Sequence, residues 1–215
     1  MRGALAVLPR FADDIEITVI DDGSTDRTGQ IADDLAKADP RVRVVHHGAR
    51  RGYGGAVRSG LVSARKDFVF FTDGDRQFAL TDLGRLIDRI DGVDAVMGYR
   101  LKRQDPARAR FVAFVYNNVI RVMFFGGFRD VDCAFKLFRR EVFERVPLDR
   151  VRSNGAFFSA ELLILLRRGG IRTREVGVPH YPRTAGEAKG QQPKVILRAI
   201  RDLLRLRLRL WGLPL

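Results

Sequence analysis

Short apolar runs alternate with helix-like segments along most of this chain, and each apolar run ends in polar or glycine-rich residues. The run Phe68–Phe71 is continuous, aromatic and β-branched, which is typical of a strand buried on both faces. Strands alternating with helices of about 10–15 residues indicate an α/β fold with a mostly parallel sheet. The pattern predicts strands at residues 15–20, 42–45, 68–72, 95–98, 134–138 and 171–178, and helices at residues 27–37, 53–65, 81–90, 107–125 and 159–168.

Composition limits the class of protein. The chain has 215 residues, 46% hydrophobic and 30% charged, which indicates one globular domain. Its single cysteine, Cys133, excludes an internal disulfide and favours a reducing compartment. The N-terminal residues do not resemble a signal peptide, and no apolar run reaches the length of a membrane span. We therefore expect a cytoplasmic location.

Positive charge is concentrated in the second half. Residues 1–99 carry 14 Lys/Arg and 16 Asp/Glu, whereas residues 100–215 carry 25 and 10. A basic surface of this kind could meet a nucleic acid, an anionic membrane or a phosphorylated substrate, and charge alone does not choose among them.

Three polar loops follow predicted strands, and in α/β sheets such loops meet beyond the strand ends. Residues 21–26, DDGSTD, could be an ordinary turn and helix N-cap. Residues 51–56, RGYGGA, could let the backbone approach a phosphate, although they lack the full P-loop pattern. Asp73 and Asp75 repel each other and, with Gln77, offer three oxygen ligands to a hard cation such as Mg²⁺ or Mn²⁺; the alternative is a solvated acidic turn. Convergence of all three favours a cation that carries a diphosphate.

Six segments, taken in order, resemble the motifs of family 2 glycosyltransferases with the GT-A fold. Within that family the resemblance is to the dolichol-phosphate mannose synthase and polyprenyl-phosphate glycosyltransferase branch, over about residues 5–192. The segments are 21–26 (DDGSTD), 51–56 (RGYGGA), 73–77 (DGDRQ), 98–100 (GYR), 130–139 (DVDCAFKLFR) and 178–183 (VPHYPR), the last with Gly186 and Lys189.

This resemblance implies a metal-dependent inverting transfer of a sugar from a nucleotide-diphosphate sugar to a polyprenyl phosphate, with Mg²⁺ or Mn²⁺ as cofactor. It implies metal ligation by Asp73, Asp75 and Gln77. For nucleotide-sugar binding it implies Asp21, Asp22, Ser24, Arg51, Gly52, Gly54, Gly55 and Asp73. For catalysis it implies Asp130, which orients the donor or acts as a formal base, and the phosphate-binding side chains Arg100, Arg183 and Lys189.

The chain departs from the family at its start. Family members open with a strand that lines the nucleotide base, whereas Ala4, Leu5, Val7 and Leu8 show helical spacing here. We therefore expect the first strand to be missing from the sheet. The alternative function is a truncated, catalytically impaired transferase-like protein that binds membranes or nucleotide only. A nucleic-acid-binding protein is disfavoured, because it would not need paired aspartates at a strand end.

A basic amphipathic helix is predicted at residues 193–215, after a glycosyltransferase domain at residues 1–192. Lys194, Arg198, Arg201 and Arg205 recur at helical spacing beside an apolar face. Such a helix is typical of peripheral binding to an anionic membrane, which for this family implies the inner face of the cell membrane and a role in envelope biogenesis. The Leu/Arg alternation at residues 204–210 predicts fraying or pairing with another element. A partner membrane protein or a second copy of the chain is left open.

Overall fold

The computed structural model describes residues 2–124, 127–182 and 192–212. Within these ranges the strands are β1 Ile17–Asp21, β2 Val42–His46, β3 Phe68–Thr72, β4 Ala95–Leu101, β5 Phe135–Arg139 and β6 Thr173–Pro179. The α-helices are α1 Arg2–Val7, α2 Thr28–Ala38, α3 Tyr53–Ser63, α4 Leu83–Ile87, α5 Ala107–Met123, α6 Val142–Arg145, α7 Phe158–Arg168 and α8 Pro193–Leu210. Short 3₁₀ helices cover Leu8–Arg10, Leu80–Asp82 and Leu148–Arg150.

The strands form two separate sheets. β1 and β2 pair in parallel, from Ile17 opposite Val42 to Asp21 opposite His46. The other sheet has the order β3-β5-β4-β6, with β4 and β6 parallel and β5 antiparallel to both of its neighbours. The predicted α/β class is confirmed, with helices flanking the sheets, and β5 is the strand that runs against the others.

The larger sheet is covered by apolar side chains on both faces. Along β4, Ala95 and Met97 join one core cluster and Val96 joins the other, as expected because successive strand residues point to opposite faces. Helix α7 supplies much of the first cluster, and Leu83 and Leu86 at α4 belong to the second. Burial on both faces explains why the strands read as apolar runs.

Both ends of the described chain are helical. The chain begins in α1, as the spacing of its apolar residues predicts. Of the two alternatives predicted for residues 204–210, fraying or pairing with another element, the structure shows pairing, because α8 continues to Leu210 and packs on the domain. Leu203 and Leu206 are buried against the domain, and the guanidinium of Arg209 lies 2.6 Å from the buried carboxylate of Glu161. These contacts hold the last turns of α8 in place.

Candidate active site

The carboxylate of Asp22, just beyond β1, fixes the start of the glycine-rich loop. It accepts hydrogen bonds from the backbone N–H groups of Arg51 at 2.8 Å and Gly52 at 2.9 Å. Gly52 has a φ of +83°, and a Cβ atom there would lie 2.7 Å from the carbonyl oxygen of Asn154. Only glycine meets both demands without strain. Two of the predicted nucleotide-binding segments therefore form one structural unit.

Gly54 and Gly55 lie in the buried first turn of α3, which packs closely on the start of α7. The Gly54 N–H donates to the carbonyl of Asn154 at 3.0 Å, and a Cβ atom at Gly54 would lie 2.7 Å from the Cβ of Phe158. This contact brings the N-terminal end of α3 to the same region as the Asp22 loop. Unpaired N–H groups at such a helix end attract anions.

Asp21, the last residue of β1, is held by its own loop and by the neighbouring strand. Its carboxylate accepts a hydrogen bond from the Ser24 N–H at 3.0 Å and lies 2.9 Å from Nδ1 of His46. The hydrogen bonds from Ser24, followed by that of His46, lower the pKa of Asp21 to about 2. Asp21 is therefore an anion throughout the physiological pH range.

Two histidines at the end of β2, which no sequence motif assigns to the site, position these aspartates. His46 bridges Asp21 and Asp33, and these two carboxylates raise its pKa, Asp33 most. His47 is buried, with Nδ1 2.7 Å from Asp22 and Nε2 2.9 Å from the Ser59 hydroxyl. The signal for this role was the parallel alignment of β1 with β2, which sets Asp21 opposite His46.

The turn after β3 carries the predicted metal ligands. The Gln77 N–H donates to a carboxylate oxygen of Asp75 at 3.1 Å, and the Tyr181 N–H donates to the Gln77 carbonyl at 2.9 Å. These bonds tie the turn to the end of β6. In the described part of the chain no three His, Cys, Asp or Glu residues cluster as a metal site. The carboxylates of Asp73 and Asp75 with the Gln77 amide oxygen are nevertheless the ligand types that Mg²⁺ and Mn²⁺ prefer.

Arg100 and Asp130, both predicted to be catalytic, form a buried ion pair with each other. Nε and Nη2 of Arg100 each lie 2.6 Å from a different carboxylate oxygen of Asp130, and Arg103 lies 3.7 Å away. Burial alone would raise the pKa of Asp130, but the hydrogen bonds and charge of Arg100 lower it overall. Asp130 therefore stays ionised and fixes the direction of the Arg100 guanidinium.

A second carboxylate in this segment, Asp132, was not predicted as a site residue. Burial, followed by repulsion from Asp130, raises its pKa to about 6. The nearby Lys136 ammonium is fully buried and donates to the carbonyls of Val131, at 3.2 Å, and Cys133. Its pKa is lowered by burial, an effect that the carboxylates of Asp132, Asp130 and Asp73 oppose. The Asp-x-Asp spacing at residues 130–132 was the available signal for Asp132.

Tyr53 links the glycine-rich loop to this charged cluster. Its pKa is raised mainly by burial of the phenol group and next by the charge of Asp73. The charge of Asp132 raises it by a smaller amount. About a third of the Tyr53 surface, 36%, is still exposed. The glycine-rich loop, the Asp73 turn and the segment around Asp132 therefore lie close enough for the two carboxylates to act on the Tyr53 phenol.

Two predicted catalytic residues, Arg183 and Lys189, lie outside the described residues. The segment that leads to them ends β6 and includes His180, whose Nδ1 accepts a hydrogen bond from the Gln104 N–H at 3.2 Å. Burial and the nearby charge of Arg100 lower the pKa of His180. His180 is therefore a neutral side chain near pH 7 that packs against the rim of the charged cluster.

Residues 4–146 match the family described as glycosyl transferase family 2. The chain belongs to this family. The match spans both predicted nucleotide-binding loops, the Asp73 turn and the Asp130–Lys136 segment. It covers well over half of the chain, and the motif resemblance is thereby confirmed.

Curated relatives share about a third of their aligned residues with this family 2 chain. Polyprenol monophosphomannose synthase of Mycolicibacterium smegmatis is 33% identical over 81% of the chain and 70% of the relative. Glycosyltransferase AglD of Haloferax volcanii is 34% identical over 90% of the chain but only 32% of the relative. Dolichyl-phosphate β-glucosyltransferase of Saccharomyces cerevisiae is 30% identical over 76% of the chain and 56% of the relative. The chain thus spans about a third to two thirds of the length of these proteins.

Solved structures support the GT-A fold. Glucosyl-3-phosphoglycerate synthase from Mycobacterium tuberculosis, in complex with Mn²⁺, UDP and glucosyl-3-phosphoglycerate, superposes with a TM-score of 0.71. The superposition covers 99% of this chain and 75% of that one at 18% identity, so it bears on fold alone. Among the helices that the structure describes, none is both long and apolar enough to cross a membrane.

Proposed function

We propose that this chain is a transferase domain that moves a sugar from a nucleotide-diphosphate sugar to a polyprenyl phosphate at a membrane surface. The observation that carries the proposal is the meeting of three segments at one end of the sheets: the Asp22-anchored glycine loop, the Asp73 turn and the Arg100–Asp130 pair. The names of two of these relatives, polyprenol monophosphomannose synthase and dolichyl-phosphate β-glucosyltransferase, support the choice of acceptor.

The reaction needs little proton transfer from the protein. An oxygen of the acceptor phosphate attacks the anomeric carbon, and the bond from that carbon to the diphosphate breaks with its electron pair on the leaving nucleotide. A phosphate monoester has a second pKa of about 6, so the attacking oxygen is mostly ionised near pH 7. Attack opposite the leaving group inverts the anomeric configuration. In this scheme Asp130 acts through Arg100 rather than as a strong base.

Charge neutralisation is therefore the main task of the site. We propose that Asp73 and Asp75, with Gln77, hold a Mg²⁺ or Mn²⁺ ion, which would neutralise the charge on the leaving diphosphate when bound. The Asp22-anchored loop would bring the N-terminal end of α3 to the diphosphate of the nucleotide. Arg100, oriented by Asp130, would bind the acceptor phosphate together with Arg183 and Lys189.

The location follows from the acceptor. A polyprenyl phosphate is met at a bilayer, and the structure offers an apolar stripe along α8 formed by Leu197, Ile200, Leu204, Leu208 and Trp211, all exposed. Arg198, Arg201 and Arg205 lie beside this stripe on the same helix. We propose peripheral binding to an anionic membrane, on the inner face of the cell membrane.

A donor screen tests the proposal directly. The full chain is incubated with a panel of labelled nucleotide-diphosphate sugars and detergent-dispersed undecaprenyl or dolichyl phosphate, and label in the lipid extract is counted. We expect label in the lipid from at least one donor. The amount of label should fall by at least roughly tenfold with Asp73→Asn or Arg183→Ala. Asp34→Asn and Arg168→Ala change exposed side chains on α2 and α7 and should keep wild-type activity.

Two outcomes would redirect the assignment. Nucleotide binding without lipid labelling by any donor would favour the alternative of a transferase-like protein that binds but does not transfer. Equal losses with Arg183→Ala and Arg168→Ala would show that positive charge acts diffusely and that Arg183 has no special place in the site.

A further inference from the structure

The segment of residues 151–155 lies between the glycine-rich loop and α8. Residues 151–154 form neither helix nor strand, so their backbone groups need partners from other elements. The N–H groups of Arg152 and Ser153 donate to the carboxylate of Glu161 on α7, at 3.1 and 2.8 Å. Only 2% of the Glu161 surface is exposed. One buried carboxylate therefore fixes the N–H side of this segment.

The carbonyl groups of the same segment are bound by α3. The Arg58 guanidinium donates to the carbonyls of Val151 and Ser153, the latter at 2.9 Å. It also donates to the side-chain oxygen of Asn154 at 2.7 Å. The backbone carbonyl of Asn154 accepts the Gly54 N–H at 3.0 Å. The position of the glycine-rich loop therefore depends on the position of this segment.

Helix α8 contacts the segment from the other side. Nη2 of Arg209 lies 2.6 Å from the Glu161 oxygen that also accepts the Arg152 N–H. This contact is largely shielded from water, since 22% of the Arg209 side chain and 3% of the Glu161 side chain are exposed. Nearer the start of α8, Arg198 lies over Gly155, where a Cβ atom would be 3.4 Å from its Nε. Helix α8 thus reaches the segment directly and through Glu161.

The ion pair with Arg209 fixes the direction of the Glu161 carboxylate. A buried carboxylate that loses its cation is strongly destabilised, so it turns toward water or toward another cation. Arg58 is close enough to interact with the charge of Glu161, but its guanidinium already donates to the carbonyl groups of Val151 and Ser153. Loss of Arg209 would therefore displace the carboxylate, and with it the N–H groups that donate to it.

We propose that Arg209 is a positioning residue for the glycine-rich loop. It fixes the carboxylate of Glu161, which holds the segment of residues 151–155 against α3. The helix whose exposed stripe faces a membrane in the proposed function is then also the helix that sets the geometry of the nucleotide loop. The position of α8 and the affinity for nucleotide are coupled, and this coupling acts in both directions.

Amide hydrogen exchange resolved by NMR, on the full chain without nucleotide or metal, tests the proposal. The variant is Arg209→Met, which removes the charge and keeps a long side chain. We expect the amides of Arg152, Ser153 and Gly54 to exchange at least roughly tenfold faster than in the wild type. The amide of Ile31, whose backbone hydrogen bond lies at the start of α2, is the internal control and should not change.

Three further variants separate positioning from simple anchoring of α8. Arg209→Lys restores a cation and should give a smaller increase in exchange than Arg209→Met, and it serves alone if the methionine variant does not fold. Leu206→Ala loosens the buried side of α8 but keeps the ion pair, so the Gly54 amide should stay protected. Arg168→Met removes an exposed arginine from α7 and should behave as the wild type. Equal exchange at Gly54 in Leu206→Ala and Arg209→Met, or unchanged exchange at Gly54 in both Arg209 variants, would overturn the proposal.

Calorimetry with GDP and with UDP, each in the presence of Mn²⁺, supplies the functional measurement. The inference rests on the proposed nucleotide-binding role of the loop, whereas the exchange experiment does not. The nucleotide that binds the wild type should bind Arg209→Met at least roughly fivefold more weakly, and Arg209→Lys should recover part of the loss. Faster exchange at Gly54 with unchanged nucleotide affinity would support the positioning of the loop by Arg209 and would contradict the nucleotide-binding role of the loop.

Discussion

Arg100 and Asp130 form a two-point ion pair in which each carboxylate oxygen lies 2.6 Å from a different guanidinium nitrogen. Arg100 lies one residue before the end of the pairing of β4 with β6, and Asp130 lies in the segment that leads to β5. Both side chains are largely buried, so water could solvate neither charge well if its partner were removed. The pair therefore links the sheet edge to the site segment and presents Arg100 in one orientation.

Replacing Asp130 by asparagine should lower the stability of the domain. The change leaves the buried Arg100 charge without its partner, and breaking such a pair typically costs about 3–5 kcal/mol. Urea unfolding near neutral pH would measure the loss. The exposed substitution Asp34→Asn should stay within about 0.5 kcal/mol of the wild type, and an equally small effect of Asp130→Asn would show that the pair contributes little.

The same variant should change the acid limb of the stability profile. The pKa of Asp130 is lowered in the folded state, so the ionised carboxylate stabilises the fold. This stabilisation is complete above the unfolded aspartate pKa of 3.8, and it is lost as the pH falls through the lower pKa of the folded state. The stability difference between wild type and variant should therefore shrink below that pH. A constant difference down to strongly acidic pH would contradict a role for the ionised carboxylate.

Asp132→Asn should have the opposite effect on stability. The pKa of Asp132 is raised from 3.8 to about 6, so the folded state favours the protonated carboxyl, and this preference is lost as the pH rises through about 6. We expect the variant to be more stable than the wild type above about pH 6, by about 1–3 kcal/mol, and equal to it below about pH 4. Thermal unfolding in EDTA at both pH values would test this, and a loss of stability at the higher pH would show that ionised Asp132 is needed for Lys136.

Much of the fold could be read from the sequence, and the exceptions have physical causes. The strand Phe68–Thr72 was predicted with its observed bounds, because its first four residues are uniformly apolar. The expected burial on both faces is only partly observed, since Val69 is buried but Phe68 is 47% exposed. The helix predicted at residues 81–90 is a 3₁₀ turn, Leu80–Asp82, followed by the short α4, Leu83–Ile87. Helical spacing alone does not show where the hydrogen-bonding pattern changes within such a segment.

Candidate site residues could be named from the sequence where a motif contains them. The pairings between their side chains could not. Asp22 and Asp73 were singled out because they follow predicted strands and match motifs of the family, and their roles stay predictions. Pairs of side chains far apart in the sequence could not be predicted. Arg100 pairs with Asp130. The carboxylate of Glu161 accepts hydrogen bonds from Arg209 and from the N–H groups of Arg152 and Ser153. Glu161 is consequently a buried anchor for α8.

Gly52→Ala should weaken nucleotide binding more than it weakens folding. A Cβ atom at this position would collide with the Asn154 carbonyl, and its φ of +83° is strained for alanine, at a cost of about 1–3 kcal/mol. Relief of this strain would move the N–H that donates to Asp22. Titration with a nucleoside diphosphate should show weaker binding, while Gly48→Ala, where a Cβ atom meets nothing within 4 Å, should bind as the wild type does. Equal nucleotide affinities of the two variants would show that the glycine-rich loop does not take part in nucleotide binding.

Asp75→Asn should reduce the metal-dependent part of nucleotide binding. The change removes one charged oxygen ligand from the Asp73–Gln77 turn and keeps the size of the side chain. Calorimetry with Mg²⁺ or Mn²⁺ should show binding weakened by more than roughly tenfold, and the difference from wild type should vanish in EDTA. The exposed change Asp34→Asn is the control. Equal affinity of the wild type with metal and with EDTA would exclude the cation from nucleotide binding.

The apolar stripe of α8 continues onto a second helix. Phe111, Phe114, Val115, Val119 and Val122 are exposed along α5. The Arg207 guanidinium lies 5.8 Å above the ring of Phe124, at the end of α5, and 3.9 Å from that of Trp211. The two stripes are therefore linked through one arginine. Exposed apolar residues in such number are typical of a surface that meets a membrane or a partner.

Leu197→Ser combined with Leu204→Ser should weaken binding to anionic vesicles without unfolding the protein. Both side chains are exposed, at 70% and 51%, whereas Leu203 and Leu206 hold α8 to the domain, so deleting the helix would expose the core. Each arginine near an anionic surface contributes about 1 kcal/mol and is screened by salt. Co-sedimentation with phosphatidylglycerol vesicles should fall roughly tenfold in the double variant, and wild-type binding should weaken as salt rises. Val62→Ser, at an equally exposed valine on α3, should change neither property, and undiminished binding of the double variant would place the membrane contact elsewhere on the protein.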